Sequence, residues 1–152
     1  MELTELYDKI GEFAMATQGV EKVTYLSPYV VWNSLNMVYG AFCAELDYVR
    51  YQDNVIEYHF IFYYGDKLKN DSSNLFQLQS AGFNVIRNVV NHLIEYFELD
   101  TPEYTDIHPF NQKFADILAG AYANVVIYVP IDERCFDYDK PEPDNGTEEG
   151  GE

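Results

Sequence analysis

The sequence predicts an α+β domain, a mostly antiparallel sheet with an N-terminal helix and one long helix packed on one face. Three observations carry this reading. Two alternating runs, Ala41 to Tyr51 and Val55 to Tyr64, are separated only by the polar turn Gln52-Asp53-Asn54. An apolar period of 3.6 residues is sustained from Ser73 to Glu98. A β-branched, alternating run from Ala121 to Val129 is stopped by Pro130.

Taken in order, the first segment is a helix, because Leu3, Leu6, Ile10, Phe13 and Ala14 form one stripe. Gln18-Gly19 supplies its stop, a short β-like stretch runs from Glu21 to Tyr25, and Ser27-Pro28 breaks it. Between Tyr29 and Gly40 the reading stays open. Tyr29-Val30-Val31-Trp32 looks like a strand, and Asn33 to Tyr39 fits a strand or a helical turn.

The first alternating run sets Phe42, Ala44, Leu46, Tyr48 and Arg50 against Cys43, Glu45, Asp47, Val49 and Tyr51. The second sets Ile56, Tyr58, Phe60, Phe62 and Tyr64 against Val55, Glu57, His59, Ile61 and Tyr63. Two such runs across a short polar turn make an antiparallel hairpin. Its apolar face must be buried, in a core or in an interface.

After the polar loop Lys67 to Ser72 comes the long helix, with Ser72 or Ser73 as its cap. Gly82 lowers its helix propensity and marks a close approach to the sheet. Following a Pro-containing linker, His108 to Phe114 forms a strand with Phe110, Gln112 and Phe114 on one side. Ile117 to Gly120 is read as the connection to the last strand. Residues 1–136 form the α+β domain, and 137–152 form an acidic tail too poor in apolar residues to offset its ordering entropy.

Composition adds two constraints. Fourteen Tyr, ten Phe and one Trp exceed the needs of one core. Tyrosine suits surfaces buried against partners, and equally a sheet whose hydroxyls meet water. On that ground Tyr58, Phe60, Phe62, Tyr64, Phe110 and Phe114 are the candidate subunit-interface residues. The formal charge of −17 opposes gripping a phosphate backbone or docking on anionic lipid, so neither sequence-specific nucleic acid nor membrane is an expected partner. An acidic lumen does allow DNA to slide past without sticking. The N-terminus has no apolar h-region, and no run of about 18 apolar residues exists. Cys43 and Cys135 are expected to be free thiols, with a long-range disulfide as the alternative.

A search for chemistry returns little. His59, His92 and His108 share no ligand spacing, and no nucleophile elbow or glycine-rich phosphate cradle is present. The densest carboxylate cluster is Glu45 and Asp47 on one strand face, across from Glu57, and a solvated strand face is the preferred explanation of it. The expectation is a protein with no catalytic site, no cofactor and no metal.

One stretch carries a resemblance. Asp106 to Val125 contains Phe110-Asn111-Gln112-Lys113-Phe114-Ala115-Asp116 ahead of Gly120 and a strand. It resembles a Phe-x-x-(Lys/Arg)-Phe-Ala-Asp run in phage and prophage proteins of Bacteroides-type hosts. The order helix, hairpin, long helix, hairpin resembles tail-terminator or tail-completion proteins of tailed phages, with neck ring proteins of crAss-like phages the nearest group. The resemblance implies a virion structural protein without enzymatic activity, synthesised in the host bacterial cytoplasm. It implies a homo-oligomeric ring at the portal–tail connector or tail terminator, flanked by portal, neck and tail proteins. A second expectation, from charge alone, is a small acidic binding module that mimics DNA or inhibits a host enzyme.

Overall fold

The computed structural model describes residues 2–33, 38–97, 106–113 and 116–131. The acidic tail 137–152, the domain boundary at 136, Cys135 and Phe114 lie outside them. Helix α1 spans Leu3–Met15, strand β1 Lys22–Thr24, helix α2 Pro28–Val31, strand β2 Ala41–Gln52 and strand β3 Val55–Lys67. Helix α3 spans Leu75–Phe97, strand β4 Ile107–Lys113 and strand β5 Ile117–Pro130. The sheet order is β1-β2-β3-β5-β4. Among the described residues only the β1–β2 pairing is parallel, so the architecture is α+β with a mostly antiparallel sheet.

The hairpin forms as its alternation requires, but with a change of phase. Ala41 to Leu46 pair with Gly65 to Phe60, then the register shifts and Tyr48 pairs with His59. Asp47 is the extra residue of this β-bulge. Beyond it Val49, opposite Tyr58, joins the helix-facing side, while Tyr48 and Arg50 turn to the other face. The single face expected to run from Phe42 through Arg50 is therefore split at Asp47. The split keeps the apolar Val49 packed on the core instead of the charged Arg50.

Both long helices cover one side of the sheet. Leu6, Ile10 and Ala14 of α1 and Val85, Ile86, Val89, Val90 and Leu93 of α3 are buried. They meet Phe42, Ala44, Phe60, Phe62 and the row Ala121, Ala123, Val125, Ile127 and Val129. A Cβ on Gly82 would lie 2.7 Å from the Ala121 nitrogen, so the glycine lets α3 touch the β5 backbone. The close approach expected at this position is present.

Two local readings change. Residues 28–31 form one helical turn, not a strand, because Pro28 sits at the first helical position, where its missing N–H is no loss. This turn delivers Trp32 onto Gly65, where a side chain would meet the indole at 2.9 Å. Residues 117–120 belong to β5, not to a connection: Leu118, Ala119 and Gly120 pair with Lys67, Asp66 and Gly65. Leu118 and Ala119 are fully buried, which holds this stretch in the sheet.

Candidate interaction surface

Alternation along β3 separates two sets of aromatic side chains. Tyr58, Phe60, Phe62 and Tyr64 point to the helices and are 7%, 1%, 0% and 2% exposed. They are the core of this chain, which removes them as subunit-interface residues. The surface they were expected to offer is already filled by α1 and α3. The Tyr64 hydroxyl donates to the Gly19 carbonyl at 3.1 Å, and burial pushes its pKa up to about 12. Phe110 lies on the opposite face, half-buried and stacked on Trp32 at 5.9 Å between ring centroids.

Among the described residues, that opposite face is only partly covered. At one end α2 and Trp32 cap Ala41, Cys43 and Leu118, with Tyr63 and Phe110 packed at the margin. The Cys43 thiol donates to the Leu26 carbonyl, and burial raises its pKa to about 12, so it is a free but unreactive thiol. An aromatic band continues from there across three strands. Tyr63 contacts Tyr122 at 6.0 Å, and Tyr122 stacks on His108 at 5.2 Å. Burial, reinforced by the nearby Glu45 carboxylate, holds the Tyr63 hydroxyl well above its ordinary pKa and hence neutral.

At the other end Tyr48 stacks on His59 at 4.0 Å, with rings 15° from parallel. The His59 Nε2 lies 3.1 Å from a Glu57 carboxylate oxygen, which also stands 3.9 Å from Arg50. Glu57 is the one charged residue with a buried side chain among the described residues. A shallow cleft of about 310 Å³ opens at the bulge, lined by Asp47, Tyr48, His59, Asn124 and Val126.

The carboxylates do not converge. Glu45 pairs with Ile61, Asp47 occupies the bulge and Glu57 pairs with Arg50. Among the described residues no group of three or more His, Cys, Asp or Glu is placed to hold a metal ion. His92 is spent locally, its Nδ1 donating to the Asn88 carbonyl at 2.7 Å. No helix among the described residues is long and apolar enough to cross a membrane.

The surface that remains is half-exposed and aromatic, and it carries little of the chain's net charge. Glu45, Asp47, Glu57 and Asp116, the last 3.8 Å from Lys67, stand against Lys22, Arg50 and Lys67 on or beside this face, although the whole chain carries −17. Sequence reasoning missed it because the bulge had not been placed. The signal was present in β3 and β5, whose second faces carry His59, Ile61, Tyr63, Tyr122 and Val126. Compared with known proteins, the chain matches no family model and no curated sequence.

Proposed function

We propose that this protein is a non-enzymatic assembly subunit that binds further copies of itself through the uncovered sheet face. The ring at the portal–tail connector or tail terminator of a tailed-phage virion is the assembly its sequence resembles. The supporting observation is the Tyr63–Tyr122–His108 and Tyr48–His59 band. Aromatic residues with polar tips are enriched in interfaces that also meet water before assembly. Charge supports the same reading: copies of a strongly acidic chain repel one another, so the patch that joins them must carry little net charge, as this face does.

Size-exclusion chromatography with light scattering, followed by electron microscopy, tests the proposal. The expected result is a closed ring of identical subunits, formed alone or on the portal protein. Tyr48→Glu with Tyr122→Glu should abolish it while leaving the fold intact. A strict monomer at high concentration, with and without portal protein, overturns it. The net charge of −17 favours one other reading, an acidic module that occupies a basic cleft. Recovery of a nucleic-acid enzyme and no virion protein in a pull-down would select that reading.

A further inference from the structure

The longest stretch of the chain without Asp, Glu, Lys, Arg or His runs from Val23 to Ala44. Core demand explains part of it, since Trp32, Ala41, Phe42, Cys43 and Ala44 are buried. It does not explain Leu26, Tyr29 and Val30, which are 63%, 57% and 68% exposed. Pro28 and Trp32, four residues apart, form the buried side of α2, and Tyr29 and Val30 stand between them on the outside. Single exposed apolar side chains are ordinary, whereas three within one turn and its approach make a patch.

A recess of similar character lies at the other end of the same sheet face. The cleft at the bulge is bordered by the stacked Tyr48 and His59 rings, with Asn124 and Val126 beside them. Asp47 is the one acidic residue in its lining among the described residues. The α2 turn cannot reach the cleft of its own chain. It is held over Cys43, whose thiol donates to the Leu26 carbonyl, and over Gly65, against which Trp32 rests. Cys43 and Tyr48 are separated by about 17 Å of strand β2.

Charge selects the occupant. A basic partner would be drawn to the carboxylates elsewhere on the chain and gains nothing from a charge-free turn. Copies that each carry −17 approach one another best where charge is sparse. We propose that the exposed side of α2, formed by Leu26, Tyr29 and Val30, seats in the bulge cleft of a second copy of this chain. This rests on the self-assembly proposed above and names the two surfaces that meet. Turn and cleft are different surfaces, so the contact is heterologous, the type that closes into rings.

The test is sedimentation velocity of the full chain at high concentration, with one variant on each surface. Val30→Glu alters the turn and Asn124→Glu the cleft, and both sites are exposed, so circular dichroism should match the wild type. Each variant alone should sediment as a single chain, its self-association weakened at least tenfold. An equimolar mixture should recover the mass of two chains and nothing larger, because one intact turn and one intact cleft remain. Assembly that survives both variants, or a mixture that stays single, overturns this contact and leaves the self-assembly reading standing. A wild-type chain that stays single also overturns it, and that reading then stands only if portal protein assembles the chain. Co-sedimentation with phosphatidylcholine vesicles that Val30→Glu abolishes, without self-association, would assign the turn to a lipid surface instead.

Discussion

The two faces of the sheet are made by the same strands and differ in what their alternate residues carry. Phe62 is fully buried, while its neighbour Tyr63 is half-buried under Trp32 and beside Tyr122. On the helix side the row from Ala121 to Val129 is closed to solvent, and small residues there admit α3. On the other side Tyr48, His59, Tyr122 and His108 stack in pairs and stay in reach of water. Alternation in this sheet does not sort apolar from polar. It sorts side chains that need a dry environment from those whose polar tips tolerate either water or a partner.

The sharpest way to break this comparison is to truncate one ring on each side. Phe62→Ala should destabilise the fold by about 3–5 kcal/mol in urea denaturation, the range for large buried aromatics. Tyr122→Ala should lower stability by less than about 1 kcal/mol. Equal losses would show that both faces are core.

Alkaline pH addresses the buried hydroxyl and thiol protons, of which Tyr64 and Cys43 are the most enclosed. Burial raises Tyr64 from 10.0 to about 12 and Cys43 from 9.0 to about 12. The folded chain therefore holds these protons more tightly than the unfolded chain. Their contribution to stability is complete below about pH 9 and is lost as pH rises towards 12. Circular dichroism across that window should show unfolding, and Cys43→Ser should leave the Tyr64 part of the decline in place.

Gly82→Ala probes the contact between α3 and β5. Its gain in helix propensity, about 1 kcal/mol, is opposed by a Cβ 2.8 Å from that of Ala121. A net destabilisation of about 1–3 kcal/mol is expected, because the obstructing atoms include sheet backbone. An unchanged melting temperature would mean that α3 rides over β5 with room to spare. Tyr48→Glu with Tyr122→Glu should cost somewhat more stability than Tyr122→Ala, because it also removes the Tyr48–His59 stack, and its main consequence should be read in mass, not in melting.

Much of this architecture was legible in the sequence, and the misses share a cause. The 3.6-residue stripe of α3 and the alternation of β3 and β5 are local patterns enforced by one buried side, so they predict elements directly. The bulge at Asp47 is not local. It exists because Val49 packs on the core beside β3 and leaves Arg50 near Glu57, contacts that appear only when the strands pair. Residues 28–31 misled for a related reason, since Tyr-Val-Val-Trp has strand composition but Pro28 and the seat on Gly65 impose a turn. Four of the candidate interface residues, Tyr58, Phe60, Phe62 and Tyr64, belong to the core for the same reason. The pattern showed that Tyr58 to Tyr64 needed cover, and only tertiary structure showed that α1 and α3 supply it.

Trp32 gives the molecule a built-in optical gauge. It is the only tryptophan in the chain, 1% exposed and wedged between Gly65 and Phe110 where α2 meets the sheet. Its fluorescence therefore reports from one place. Emission should be blue-shifted in the folded state, and a red shift that precedes loss of helical signal would time the lifting of α2 separately from melting of the core. The uncovered face needs no attached dye, because the residue that borders it already emits.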